Sequence, residues 1–108
     1  FIKNYFPNNK IELIKIEKDI FSTEYEVKLS NDIELKFDGK GNWEKVDCGR
    51  RSVPEGLLPA FAKQYVKSNF PNERITEVKR EGTRTKIELS NDVSIKFNKH
   101  GKVIGMDD

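Results

Sequence analysis

Apolar residues in the second half of the chain recur first at helical spacing and then at alternate positions. The helical set is Leu57, Leu58, Phe61, Ala62, Tyr65, Val66 and Phe70. Steps of three and four residues place this set on one face, which predicts a helix over about residues 57–69 that ends before Pro71. The alternating sets predict four strands, and they are Ile75 and Val78; Thr85, Ile87 and Leu89; Val93, Ile95 and Phe97; and Val103, Ile104 and Met106.

The first half of the chain has a similar pattern. Its four predicted strands have apolar positions at Ile11, Leu13, Ile14 and Ile16; Tyr25, Val27 and Leu29; Ile33, Leu35 and Phe37; and Trp43 and Val46. Short turns separate the strands at residues 30–32, 90–92, 38–42 and 98–102, where Asn, Asp and Gly accept a positive φ. Alternation gives a sheet one buried face and one solvent face, and the helix is expected to cover the buried one.

Two stretches of the chain align with each other. Residues 1–8 (FIKNYFPN) match residues 65–72 (YVKSNFPN), and residues 29–33 (LSNDI) match residues 89–93 (LSNDV). The spacing differs by four residues between these blocks, which places a shorter connection in a hairpin turn before Thr85. We therefore predict an α+β tandem repeat of a helix plus a four-stranded antiparallel meander, with the two sheets joined and the helices on one face.

The repeat divides the chain into unit 1 (residues 1–47), a connector (48–53) and unit 2 (54–108). Residue 1 aligns with residue 65, so the first helix has only a short counterpart here. Because so short a helix is not stable alone, we expect residues upstream of Phe1 to complete it.

Composition and charge exclude several classes of protein. The 108 residues carry 20 Lys and Arg against 18 Asp and Glu, and Lys and Glu alternate along the predicted strands, so we expect no nucleic-acid partner. No stretch approaches the about 20 consecutive apolar residues of a membrane-spanning helix. One cysteine and one histidine exclude an internal disulfide and a Cys/His zinc site, and no sequence motif implies a cofactor.

Several segments together resemble the PepSY-like family of bacterial exported proteins. In unit 2 they are VP at 53–54, LPAF at 58–61, YV at 65–66, NFP at 69–71 and IELSNDVSIKF at 87–97, with Gly101. In unit 1 they are YEVKL at 25–29 and KFD at 36–38, with Gly41 and Trp43. The resemblance implies an exported protein of the periplasm or cell envelope, without enzyme activity, whose fold is like that of the β-lactamase inhibitor protein. It also implies a sheet surface that binds a protein partner.

No residues form a convincing catalytic or metal site. His100 lies in a predicted turn at the position of Lys40, which indicates an exposed residue rather than a catalytic base. Cys48 lies near Arg50 and Arg51, which could activate a thiol, although a buried thiol or an intermolecular disulfide is the commoner role. The turn at residues 38–42 has Lys40 where a calcium loop needs an acid.

The main hypothesis is a non-enzymatic protein-binding module, which could be an inhibitor, acting through the solvent face of its sheets. The candidate partner surface is Glu26, Lys28, Glu34, Lys36, Lys86, Glu88, Ser94 and Lys96, to which Trp43 is added. Trp43 has two interpretations, a core residue or a binding anchor at the sheet rim. The alternative function is a structural or sensory cell-envelope domain that binds a small ligand or ion.

Overall fold

The eight strands form one antiparallel sheet, in which each strand pairs with its neighbours along the chain. A computed structural model describes all 108 residues. The strands are β1 (Ile11–Lys18), β2 (Thr23–Leu29), β3 (Ile33–Asp38), β4 (Trp43–Asp47), β5 (Ile75–Glu81), β6 (Arg84–Leu89), β7 (Ser94–Phe97) and β8 (Val103–Asp107). The prediction of α+β with antiparallel strands is confirmed, and every predicted strand is present.

The expectation of two sheets is wrong, because β4 and β5 pair directly. Val46 lies opposite Val78, and both side chains are fully buried. Two open sheets would leave unpaired backbone groups at this edge, whereas pairing satisfies them and buries apolar side chains on the covered face. A single core cluster therefore contains residues from both halves of the chain.

The helices are shorter than predicted. α1 covers Ile2–Tyr5 and α2 covers Ala60–Asn69, with a separate 3₁₀ turn at Glu55–Leu57. The predicted start at residue 57 is wrong because Pro59 restricts the residue before it, and Leu58 is extended at φ −100° and ψ 133°. The predicted end before Pro71 is confirmed. None of the helices has the length and apolarity needed to cross a bilayer.

The turns have the backbone conformations that their residues predict. Asn31, Asp32 and Asp92 have positive φ in the turns that join β2 to β3 and β6 to β7. Gly41 and Gly101 have φ of 87° and 81° in the turns that follow β3 and β7. These short turns fix which residues lie opposite each other, and so they determine which charges meet on the sheet.

The core lies between the helices and one face of the sheet, which we call the helix face. Buried residues of α2, Ala62 and Val66, pack in the same cluster as Leu35, Ile87 and Ile95 of the sheet. The opposite face has no helix and is the solvent face. At one end of the sheet, β1 is exposed along its whole length.

Candidate functional site

Eight of the nine predicted surface residues share the solvent face of the sheet. They alternate along their strands with buried residues of the helix face, such as Val27, Leu35, Ile87 and Ile95. This alternation directs the other side chains away from the core. The eight are Glu26, Lys28, Glu34, Lys36, Lys86, Glu88, Ser94 and Lys96.

Trp43 lies on the other face and does not join this surface. It is opposite Phe37 in the register of β3 and β4, and it packs against the core. The guanidinium carbon of Arg80 is 3.7 Å from the centroid of its ring. Of the two interpretations from the sequence, the structure supports the core residue, because the opposing Phe37 fixes Trp43 on the helix face.

Five lysines stand side by side across the solvent face. Lys36 is opposite Lys45, Lys45 is opposite Lys79, Lys79 is opposite Lys86, and Lys86 is opposite Lys96. We call these five residues the lysine row. Since neighbouring strands are about 4.8 Å apart, the row spans roughly 19 Å across five strands.

A row of acidic residues runs beside the lysine row, two residues away along each strand. Glu34 is opposite Asp47, Asp47 is opposite Glu77, and Glu77 is opposite Glu88. We call these four residues the acidic row. The two rows are about 7 Å apart, because two residues of a strand advance by that distance. The solvent face therefore has separated positive and negative stripes.

Neighbouring carboxyl groups on the solvent face shift each other's pKa, both between diagonal residues and between directly opposed ones. A hydrogen bond with Glu26 raises the pKa of Glu34, and burial adds to that increase, while the pKa of Glu26 is lowered by the same bond. Burial raises the pKa of Glu77, and its hydrogen bond with Glu88 raises it further.

Only two of the five lysines in the row form ion pairs within the chain. The Nζ of Lys36 is 3.6 Å from Oε1 of Glu24, and the Nζ of Lys45 is 3.6 Å from Oε1 of Glu77. Lys79, Lys86 and Lys96 have no ion-pair partner. Their ammonium groups are therefore available to carboxylates of another molecule.

Two depressions lie at the solvent face. One, of about 630 Å³, is lined by Arg84, Lys86, Ser94 and Lys96 together with residues 104–107 of β8. The other, of about 570 Å³, is lined by Asp47, Glu77 and Glu88 of the acidic row together with Arg50 and Arg74. Each depression thus coincides with part of one row.

Four residues of the rows were missing from the sequence-predicted surface: Lys45, Asp47, Glu77 and Lys79. All four lie on β4 and β5, the strands that join the two halves of the sheet. Their alternation with Val46 and Val78 was the signal that could have assigned them to the solvent face. Their alignment in rows required the register of β4 with β5.

Cys48 and His100 are placed apart by their elements. Cys48 follows β4 and is 1% exposed, and its N–H donates to Thr76 O at 2.9 Å. Burial raises the pKa of the thiol to about 11, with Asp47 adding to the increase and Arg51 opposing it. His100 is exposed in the turn between β7 and β8. Of the interpretations of Cys48, the structure supports a buried, unreactive thiol.

The turn at residues 38–42 uses its carboxylate internally. Oδ1 of Asp38 accepts hydrogen bonds from the N–H groups of Lys40 and Asn42, each at 2.9 Å. These bonds to the Asn42 and Lys40 backbone lower the pKa of Asp38. No group of three or more His, Cys, Asp or Glu side chains is placed to hold a metal ion.

The chain matches a protein family over nearly its whole length. The family described as "Putative beta-lactamase-inhibitor-like, PepSY-like" matches residues 1–42 and, separately, residues 23–105. A search of curated proteins found no match to this sequence.

Three solved structures have the same fold. One, described as a "putative periplasmic protein" of the DUF2874 family from Bacteroides vulgatus, is 37% identical with a TM-score of 0.95, over 100% of this chain and 85% of that one. Another, described as a "putative calcium-regulated periplasmic protein" from Bacteroides thetaiotaomicron, has the same identity, TM-score and coverage. A third, from Bacteroides vulgatus and described as of unknown function, is 34% identical with a TM-score of 0.93, over 99% of this chain and 86% of that one.

Proposed function

Since this chain belongs to the PepSY-like, β-lactamase-inhibitor-like family, we propose that it is a protein-binding module that acts through the solvent face of its sheet. It is an exported, periplasmic protein, in agreement with the description of its solved neighbours as "putative" periplasmic proteins. The observation that carries the proposal is the lysine row, in which three of the five ammonium groups have no ion-pair partner.

Aligned like charges are unfavourable within the free protein. Lysines directly opposite each other on neighbouring strands destabilise a sheet by about 0.2–1 kcal/mol per pair. A partner that brings carboxylates to Lys79, Lys86 and Lys96 would remove this repulsion and form new ion pairs. Partner binding would therefore relieve a repulsion between lysines that destabilises the free protein.

The acidic row favours a protein over a uniform polyanion. A nucleic acid or polysaccharide chain that contacts the lysine row would also approach Glu34, Asp47, Glu77 and Glu88, about 7 Å away. A protein surface can present acidic side chains to one row and basic side chains to the other. Complementarity of this kind determines which partner binds and how fast.

Inhibition of an envelope enzyme is the form of protein binding that the family description suggests. In that case the solvent face would cover the partner's active site. The alternative from the sequence, binding of a small ligand or ion, stays a prediction that a thermal-shift screen can test.

Charge reversal of the unpaired lysines tests the proposed surface. We would cross-link the wild type and the triple variant Lys79→Glu, Lys86→Glu, Lys96→Glu to periplasmic proteins and identify the products by mass spectrometry. We expect the triple variant to lose the wild-type partners, and raised salt to weaken their capture by the wild type.

The matched control reverses three lysines outside the row. Lys63 and Lys67 lie on α2, and Lys102 lies in the turn before β8, so Lys63→Glu, Lys67→Glu, Lys102→Glu changes the net charge equally. This control should retain the partners. If both triple variants capture the same proteins as the wild type, the solvent face is not the binding surface.

We also propose that two related units, residues 1–47 and 54–108, build this continuous face, with residues 48–53 as the connector. Equivalent turns support it: Asp38 N–H donates to Asn42 O and Asn98 N–H donates to Lys102 O, both at 2.8 Å. The side chain of Asn98 also accepts from the N–H groups of His100 and Lys102, as that of Asp38 does in its own turn.

Replacing residues 98–102 (NKHGK) by the sequence of residues 38–42 (DGKGN) should change the unfolding free energy by less than about 1 kcal/mol. A larger loss would contradict the equivalence.

A further inference from the structure

The free edge of β1 is unpaired beyond the bulge at Ile11/Leu13, although charged residues alternate with its apolar ones. Its eight residues are all exposed, and no proline interrupts them. Ile14 and Ile16 are 55% and 57% exposed although they lie on the helix face, opposite Val27 and Tyr25. An unpaired strand edge with exposed apolar side chains is a template for pairing with another strand.

The hydrogen bonds show which backbone groups of β1 are free. Asp19 N–H donates to Ser22 O at 3.0 Å at the β1–β2 hairpin. Asp19 and Ser22 are therefore a hydrogen-bonded pair. Bonded and non-bonded pairs alternate along an antiparallel ladder, so Glu17 and Lys15, two and four residues before Asp19, also direct their N–H and C=O groups toward β2. Ile14, Ile16 and Lys18 therefore direct theirs to the free side.

The side chains of β1 select one symmetric register. If two copies of β1 pair about a twofold axis at Ile16, Lys15 of each copy lies opposite Glu17 of the other. A centre at Lys15 or Glu17 would instead place identical charges opposite each other, which is unfavourable. With the axis at Ile16, the N–H and C=O groups of Ile16 in each copy can hydrogen bond to those of the other copy, because both groups lie on the free side of β1.

We propose that the protein forms a homodimer by antiparallel pairing of β1 with β1 of a second copy, centred on Ile16. The pairing forms two Lys15–Glu17 ion pairs on the solvent face and places Ile16 beside Ile16 on the helix face. The two eight-stranded sheets become one sheet, and the solvent faces of the two copies are continuous. Because both copies use the same edge, the dimer leaves no β1 edge to which a third copy could pair.

Sedimentation equilibrium over a concentration series tests the dimer, and the variants test its register. Lys15→Glu and Glu17→Lys each place like charges opposite each other in the dimer, so each should weaken dimerisation by about tenfold or more. The double variant Lys15→Glu, Glu17→Lys restores opposite charges and should restore the wild-type dissociation constant to within a few-fold. Rescue by the double variant is not expected if the two residues act only within one copy.

A backbone variant supplies an independent measurement. Ile16→Pro removes an N–H that β2 does not use, so the monomer should fold while the dimer is lost. Ile16→Val keeps the N–H and serves as the matched control, with circular dichroism to confirm folding of both. If Ile16→Pro does not fold, the charge variants decide the question. A wild type that stays monomeric up to about 1 mM, a dimer that persists in Ile16→Pro, or assembly that grows beyond dimers would overturn the proposal.

Discussion

The guanidinium group of Arg80 stacks on the ring of Trp43, with its central carbon 3.7 Å from the ring centroid. Trp43 begins β4 and Arg80 is near the end of β5, so this contact joins the two halves of the sheet on the helix face. It accompanies the buried Val46 and Val78 pair at the same junction.

Loss of this cation–π contact should destabilise the fold. We expect Arg80→Met to lower the unfolding free energy by about 0.5–2 kcal/mol, because methionine keeps much of the apolar stem and removes the charge over Trp43. Urea denaturation measures the change. Arg84→Met, at an exposed arginine of β6, is the matched control and should change the free energy by less than about 0.5 kcal/mol. Equal effects of the two substitutions would mean that the contact with Trp43 contributes nothing.

Two turn glycines should respond differently to the same substitution. Gly41→Ala places alanine at φ 87° in open space, which costs about 1–2 kcal/mol. Gly101→Ala has a similar φ of 81°, but its new Cβ would lie 2.7 Å from Cγ of Phe61. The clash adds about 1–3 kcal/mol unless α2 shifts. Thermal denaturation of both variants should therefore give the lower melting temperature for Gly101→Ala, and the reverse order would contradict this packing.

The acidic row should make stability depend on pH in a defined direction. The pKa of Glu77 is raised above its usual 4.5 by burial and by Glu88, so the folded state binds this proton more tightly than the unfolded state does. The unfolding free energy should consequently fall as pH rises from about 4.5 toward neutrality, as far as this group contributes. Glu34 has the same direction of shift and acts in the same range.

Removal of the neighbouring carboxylate should reduce that dependence. In Glu88→Gln, Glu77 loses a like-charged neighbour, so its pKa should move down toward the usual value. NMR titration of the Glu77 side chain measures the pKa, and urea denaturation at several pH values measures the slope. Glu55→Gln, outside the row, should leave both unchanged. A Glu77 pKa that stays the same in Glu88→Gln would contradict the interaction.

The buried thiol should be nearly inert in the folded protein. With a pKa of about 11, Cys48 is about one part in a thousand thiolate at pH 8, and its burial also blocks reagents. We expect modification by a thiol reagent at pH 8 to be slow until denaturant is added. A variant with Cys48→Ser and an exposed thiol from Ser52→Cys should react rapidly while folded. Equally fast reaction of native wild type would mean that the thiol is accessible.

The sequence predicted the strands well because most of them alternate apolar and polar residues, and it predicted the turns because Asn, Asp and Gly stand where φ is positive. It failed at the start of α2, where the apolar spacing of Leu57 continues a helical pattern that Pro59 interrupts. It predicted two joined sheets and not the single one, because nothing local to β4 or β5 shows that these strands pair.

The alternation of residues within each strand could not predict the lysine row or the acidic row. Within one strand, lysine and acid simply alternate with apolar residues, as Lys36 and Glu34 do, and the sequence therefore indicated mixed charge. Rows arise from register between strands, which depends on turn length and on bulges such as those at Lys36–Phe37 and Lys96–Phe97. The register of β4 with β5 depends on core packing across a long connection.

The strand order has a consequence for how the chain folds. Every strand pairs with a neighbour in sequence, so most of the sheet can form from hairpins that close short loops, which favours rapid folding. The exception is the pairing of β4 with β5, which must close the segment from residue 48 to residue 74. Closing that longer loop costs more entropy than closing any of the hairpins. We therefore expect the two meanders to form first and the contact between Val46 and Val78 to form last.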